Sequence, residues 1–320
     1  MGRTLISFVV LIRAAALIPL VGAITAAYSQ NPKFEFHSSS LIDGFPSASA
    51  VICYGDKLFV MGDDSRQVMI LDEDLKKVDS IKIFEGQGRV PQDKKADIES
   101  AIRLRRKILL IGSASSQVRQ KSYLIKTGRA GRDKMKILDN RTWLSQSDSA
   151  AGPINIEGAF VFKGKLIAAN RAMKGDNANM LFVTPLKPFL RGRSAKTTLY
   201  QISLPDSVNT LAGISDLFYR KEEDVLLITL SSEDSNNPLE DGAIGKSYLG
   251  WISRFSASFK GGALRLDGMV DLTSLSSAFE GQKIEGVCAK HDGNDSLILH
   301  FVSDNDDGVS RIFSVRMTRL

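Results

Sequence analysis

Across 320 residues, 43% hydrophobic and 24% charged, the chain carries enough apolar content to offset the entropy of ordering, which excludes an intrinsically disordered protein. Its 26 glycines and 9 prolines recur with no short period, which excludes collagen-like and low-complexity classes. The net charge of +6 falls to +4 once Arg3 and Arg13 of the leading segment are set aside, so the body of the chain is only mildly basic.

The leading segment, MGRTLISFVVLIRAAALIPLVGAITAAYS, has early positive charge, an apolar stretch from Ala14 to Ala27 and small residues at Ala27 and Ser29. This pattern predicts a signal peptide over residues 1–29 and a single mature domain over 30–320, hence a periplasmic or secreted protein. Arg13 interrupts the apolar run, which leaves it shorter than the roughly 20 residues of a comfortable membrane span. The two cysteines, Cys53 in AVICYG and Cys288 in GVCAKH, are read as small buried thiols in strands rather than as a bridge, a choice that only geometry decides.

Beyond the leader the chain repeats. Five segments begin with an acidic or small-residue signature, reach a tight turn and continue as a strongly β-prone run. They start at Ser47 (SASAVICYGDKLFVM), Asp97 (DIESAIRLRRKILLI), Asn155 (NIEGAFVFKGKLIAA), Gly213 (GISDLFYRKEEDVLLIT) and Lys283 (KIEGVCAKHDGNDSLILHF). After the first four come two more strand candidates each: VMILDED and VDSIKIF, SYLIKT and MKILD, NMLFVTP and TTLYQISL, LGWISRFS and LRLDGMVDL. Four antiparallel strands per unit, with starts spaced 50, 58, 58 and 70 residues apart, predict the blades of a β-propeller.

The last unit supplies only three strands, the third being RIFSVRM. KFEFHSSS, from Lys33 to Ser40, alternates Phe34 and Phe36 with polar residues and is expected to supply the fourth and close the ring. The fold is therefore read as an all-β single propeller of five blades, or six if the polar insertion SSEDSNNPLEDGAIGKS hides strands. A two-sheet sandwich or two smaller β domains is the alternative.

The residues DIES, NIEGAFVFKGKLIAANR, GSASSQVR and KIEG resemble those of an uncharacterised family of exported bacterial β-propellers, related in blade pattern to the phytase-like and esterase-like propeller groups. The resemblance implies the fold over nearly the whole mature chain and brings no activity with it. The dense set of Asp, Lys, Arg and His of a calcium-dependent phytase is absent, the only histidines being His37, His291 and His300.

In a propeller the first strand of every blade lines the central channel, so the signatures converge on one mouth. Glu99, Glu157, Asp216 and Glu285 are the expected ring, with Ser47 and Ser49 in the first unit. Antiparallel pairing brings the ends of the second strands to the same mouth: Asp63, Asp64, Ser113, Asn170, Arg171, Ser303 and Asp304. The four carboxylates suit a hard cation such as calcium or a cationic ligand group, and Arg119 and Arg171 are placed to neutralise them or grip an anion. The same carboxylates can instead accept backbone N–H groups of the next blade and lock the stack.

Recognised catalytic patterns are missing. GSASS lacks the G-x-S-x-G elbow, and SDNDDG lacks the glycine and glutamate spacing of an EF-hand and reads as a hairpin turn. The expectation is a monomeric exported propeller that binds a small molecule, glycan or envelope protein at its acidic mouth. A calcium-assisted phosphoesterase or esterase-like hydrolase is the alternative. The basic stretch from Arg103 to Lys136 is read as solvated turns and edges rather than a nucleic-acid surface, with attachment to an anionic envelope polymer or membrane as the remaining option.

Overall fold

The computed structural model describes residues 31–127, 134–144, 153–171, 179–205, 212–234, 243–260, 263–293 and 295–318. The expected signal peptide, and the middle of the polar insertion, lie outside these residues.

The second strands explain the architecture locally. LFVM, ILLI, LIAA and their counterparts are continuous apolar runs, as a strand must be when both faces of its sheet are covered by neighbouring sheets. The chain enters through β1 (Lys33–Leu41) and then builds four sheets in sequence. Blade 1 is β2 (Ala48–Tyr54), β3 (Lys57–Gly62), β4 (Gln67–Leu71) and β5 (Lys77–Lys82). Blade 2 is β6 (Ile98–Leu104), β7 (Lys107–Gly112), β8 (Lys121–Lys126) and β9 (Lys134–Asp139). Blade 3 is β10 (Ile156–Phe162), β11 (Lys165–Asn170), β12 (Asn179–Pro185) and β13 (Thr198–Ser203), with the short helix Leu186–Leu190 between the last two.

Blade 4 holds β14 (Ala212–Arg220), β15 (Val225–Asp234) and β16 (Ala243–Ile252), after which the chain departs from expectation. LRLDGMVDL is not one strand. Its start, β17 (Leu264–Arg265), pairs in parallel with β13 and extends blade 3, while its end, β18 (Gly268–Asp271), completes blade 4. The split follows from the turn residues Asp267 and Gly268 in the middle of the run. Blade 5 is β19 (Ile284–His291), β20 (Ser296–Asp304) and β21 (Ser310–Thr318), completed by β1 in the order β1-β21-β20-β19. The N-terminal strand thus closes a five-blade ring. The described ends of the polar insertion belong to β15 and β16, whose pairing extends to Asp234 and Ala243.

The apolar core lies between blades. Phe59 and Met61 of blade 1 meet Leu110 and Tyr123 of blade 2. Leu226 and Leu230 of blade 4 meet Ile167 and Leu181 of blade 3, and Val302 and Ile312 of blade 5 close the circle against Val51 and Val60 of blade 1. Each blade therefore depends on its neighbours, as in other repeat architectures. The alternation of β1 has its expected use: Phe34 packs on Trp251 and Phe36 on Phe279, with ring centroids 5.7 and 5.9 Å apart.

The reading of Cys53 and Cys288 as free thiols is corrected. They form a disulfide with Cα atoms 5.8 Å apart, joining the inner strands of the first and last blades across 235 residues of sequence. Strand neighbourhood alone did not reveal this, because β2 and β19 become adjacent only when the ring closes.

Every inner strand carries a bulge at the same place, where the register shifts between Ala48 and Ala50, Ile98 and Ser100, Ile156 and Gly158, Ile214 and Asp216, and Ile284 and Gly286. The residue after the bulge is small where inner strands approach closely. A Cβ on Gly158 would lie 2.5 Å from the Leu217 nitrogen of the next blade, a backbone atom that cannot give way. Gly158→Ala is expected to destabilise the protein by about 1–3 kcal/mol, measured by thermal melting. Ser100→Ala, at the equivalent place with a buried hydroxyl that finds no partner among the described residues, is expected to be neutral or slightly stabilising.

Candidate functional site

The bulge decides which side chains face the axis. By inserting one residue it turns that residue out of the ladder alternation and aims its side chain anew. The bulged residues are Ser49, Glu99, Glu157, Ser215 and Glu285. Carboxylate oxygens of Glu99, Glu157 and Glu285 lie within 4.8 Å of one another, and a second group at the same distance joins Glu99 to Asp63 and Asp97. The sequence ring is therefore shifted in blade 4, where Ser215 holds the equivalent position and its hydroxyl bonds Thr229 Oγ1 at 3.1 Å. Asp216 sits one residue further along. Its Oδ2 accepts the Val287 N–H of blade 5 at 2.8 Å and its Oδ1 accepts the Leu217 N–H at 2.7 Å. Asp216 locks blade 4 to blade 5, while the three glutamates converge.

Cations surround this cluster unevenly. Lys95 Nζ lies 2.5 Å from Asp63 and 2.9 Å from Asp97, and the buried Arg119 guanidinium sits 2.8 Å from the far oxygen of Asp97. Arg89 and Ser47 hold Asp64, and Ser113 donates to Asp97. Glu157 accepts from Asn155 Nδ2 at 2.5 Å and has the Arg171 guanidinium 4.0 Å away, whose other nitrogen donates to the Ser231 carbonyl. Lys283 Nζ lies 3.2 Å from Glu285. Glu99, which keeps partial exposure, has no hydrogen bond or ion pair among the described residues.

The remaining expected residues serve the rim. Asn170 Oδ1 accepts the Asn155 N–H at 2.6 Å and its amide donates to the Pro153 carbonyl, which pins the signature strand to its partner. Ser303 donates to Gln282 Oε1 at 3.0 Å. Asp304 ends β20 and accepts the Asp306 N–H at 3.0 Å, so SDNDDG is the hairpin turn that its composition suggested. Ser113 lies at a strand end beside Asp97, Ser115 and Arg119, with no histidine near it among the described residues. His300 is buried in blade 5 against Ser314, and burial lowers its pKa to about 4.

Burial and mutual repulsion raise the acids. Glu99 stands well above the usual carboxylate range because it is desolvated and faces the charges of Asp97, Glu157, Asp63 and Glu285. Desolvation lifts Glu157 to about 8, with Arg171 pulling it down and Glu285 pushing it up. Asp304 is likewise lifted by burial to about 8. For Asp216 burial also wins, against the two amide bonds that favour its charge. Burial alone would lower the Lys95 pKa, but Asp63 and Asp97 outweigh it and hold the ammonium charged.

Sequence reasoning missed Lys95, Asp97, Asn155 and Lys283 as site members. The signal was present: Asp97, Asn155 and Lys283 each stand two residues before a ring glutamate and so emerge beside it at the mouth. Inward of the ring, an axial cavity of about 230 Å³ is walled by Val51, Cys53, Phe160 and Phe218, with Arg103 among its lining. Clustered carboxyl groups over a small channel can hold a cationic group or a hard cation, which draws Glu99 and Glu157 into their charged forms.

No curated protein matches the sequence. Among solved structures, the glutaminyl cyclase of Myxococcus xanthus is similar at 12% identity and a TM-score of 0.54, covering 90% of this chain and 97% of that one. A member of the DUF4221 family from Bacteroides vulgatus is similar at 9% identity and a TM-score of 0.43, covering 90% and 99%. At such identities the glutaminyl cyclase likeness shows the fold alone. The sequence itself matches over residues 44–317, and the chain belongs to DUF6929, a family of unknown function.

Proposed function

We propose that this protein is an exported propeller that binds, at its acidic mouth, a ligand presenting a cationic group, whether a small molecule, a glycan amine or a basic side chain of an envelope protein. The observation that carries this reading is the convergence of Glu99, Glu157 and Glu285 within 4.8 Å, with no cation on Glu99 among the described residues. A guest cation placed there offsets the burial and the mutual repulsion that raise Glu99 and Glu157. Export is supported by the apolar leader and by the Cys53–Cys288 bridge, since disulfides persist in oxidising compartments.

A second reading, a calcium-assisted phosphoesterase, draws on the blade-pattern resemblance to phytase-like propellers and on the all-oxygen donor set, which suits a hard ion. In that reading Glu99, Glu157 and Glu285 would hold the ion and Lys283 would have to yield its place on Glu285. No serine paired with a histidine base stands at the mouth among the described residues, so hydrolysis in this reading would rest on an ion-activated water.

Isothermal titration with calcium chloride, putrescine, spermidine and arginine amide tests the proposal. Saturable binding of one of these, weakened at least about tenfold by Glu99→Gln, or about 1.4 kcal/mol, is the expected result. Absence of any binding at about 10 mM, the weak limit of useful recognition, overturns it. Hydrolysis of p-nitrophenyl phosphate that a chelator abolishes and Glu157→Gln removes would establish the second reading instead.

A further inference from the structure

The axial cavity lies apart from the acids of the mouth. Its wall takes residues from all five inner strands, among them Val51 of β2, Phe160 of β10 and Val287 of β19, but none of Glu99, Glu157 and Glu285. Each of those glutamates is the second residue of its strand, whereas Cys53, Arg103 and Tyr219 of the wall are each the last but one of theirs. The cavity therefore belongs to the opposite end of the ring. Arg103 is exposed to solvent there, which gives the cavity an approach that does not pass the acids.

Two charged residues line this space among the described residues, and one of them offers its charge to a guest. Asp216 is engaged: its carboxyl oxygens accept the Leu217 and Val287 N–H groups, and burial favours its neutral form. Arg103 is not. Its guanidinium carbon sits 3.7 Å from the centre of the Tyr54 ring, which Phe59 braces edge-on at 5.7 Å. A guanidinium held over a ring face keeps its N–H donors free at the edge of its plane. None of them meets an acceptor or a carboxylate among the described residues. At the equivalent strand ends of blades 4 and 5 the cations are already neutralised, Arg220 by Glu223 and Lys290 by Glu73. The planar fork of Arg103 is thus an open place for a carboxylate, which it matches with two parallel hydrogen bonds.

The wall selects the rest of the guest. Phe160, Phe218 and Tyr219 supply aromatic surface, and the Tyr219 hydroxyl is already committed to Asp224 at 2.8 Å. At about 230 Å³ the space suits a single ring rather than a larger molecule. Each inner strand is also the terminal strand of its sheet, so unpaired backbone groups border the axis. A pure hydrocarbon would leave those groups and Arg103 without partners. An inorganic anion would leave the rings unused. We propose that the axial cavity is a second binding site, for a small aromatic monocarboxylate whose carboxylate pairs with Arg103 and whose ring packs against Phe160 and Phe218. The site is independent of the acidic mouth and takes a ligand of opposite charge.

Isothermal titration of the full chain with phenylacetate tests this, with phenylacetamide and acetate as controls. Saturable binding of phenylacetate at one site is expected. Phenylacetamide, which lacks the charge, and acetate, which lacks the ring, are each expected to bind at least about tenfold more weakly. Arg103→Gln is expected to weaken phenylacetate at least about tenfold and to leave calcium and spermidine titrations unchanged, so the two sites stand or fall separately. Arg103→Lys, which keeps the charge without the fork, is expected to recover only part of the affinity. Phe218→Leu, which keeps an apolar wall without its ring, is expected to weaken phenylacetate while circular dichroism stays that of the parent. No saturation by about 10 mM, equal affinity for phenylacetamide, or full affinity in Arg103→Gln each overturns the proposal. Full affinity in Phe218→Leu would place the ligand outside the cavity and overturn it as well.

Discussion

Glu99→Gln is expected to melt higher than the parent protein at pH 8, by roughly 5–10 °C, and to lose cation binding at the same time. Glu99 is desolvated and packed among four like charges, with no counter-ion among the described residues, so its ionised form is costly. An amide of the same shape removes that cost. The pH dependence follows in sign. A carboxylate whose folded pKa lies above its unfolded value of about 4.3 stabilises the fold fully below that value, and the contribution is lost as pH rises through the folded pKa. Glu157 and Asp304, both lifted to about 8, place the window between about pH 4.5 and about pH 8–9. The parent should therefore lose stability on going from pH 5 to pH 9, and the variant should lose less. Scanning calorimetry at pH 5, 7 and 9 measures both. A lower melting temperature for Glu99→Gln at pH 8 would mean that its charge holds the blades together, and the binding proposal would lose its carrying residue.

Removing the Cys53–Cys288 bridge with Cys53→Ala and Cys288→Ala is expected to cost about 2–5 kcal/mol, a fall in melting temperature of roughly 5–15 °C. The bridge joins inner strands of the first and last blades, so without it ring closure rests on the pairing of β1 with β21 and on the packing of Val51 and Val60 against Val302 and Ile312. A cross-link over 235 residues restricts the unfolded chain far more than a short loop would. The loss should appear as faster unfolding in urea, since the last closure is the step that the bridge secures. Two thiols titrating in denaturant without reductant, or an unchanged melting temperature in the double variant, would show that the pairing is absent or idle.

Much of this architecture can be read from residue order. The LFVM and ILLI runs mark strands covered on both faces, and the turns GD, RR and KG mark their hairpins. The alternation of Phe34 and Phe36 marks a strand with one apolar face seeking a neighbour, which Trp251 and Phe279 provide. LRLDGMVDL misleads because two short strands of different blades lie next to each other in sequence, and only their hydrogen-bond partners separate them.

The amino-acid order by itself determined the repeat, the four-strand unit, the closing role of the N-terminal strand and the placing of acidic signatures at one mouth, because strand periodicity and turn chemistry act over a few residues. Tertiary structure alone decided that Glu99, Glu157 and Glu285 meet while Asp216 turns to the Val287 amide, that the cysteines pair, and that Arg103 lines the axial cavity. The physical reason is that a bulge shifts side-chain direction by one position, and a ring brings segments more than a hundred residues apart within hydrogen-bonding reach. Neither effect leaves a mark on the residues taken one segment at a time.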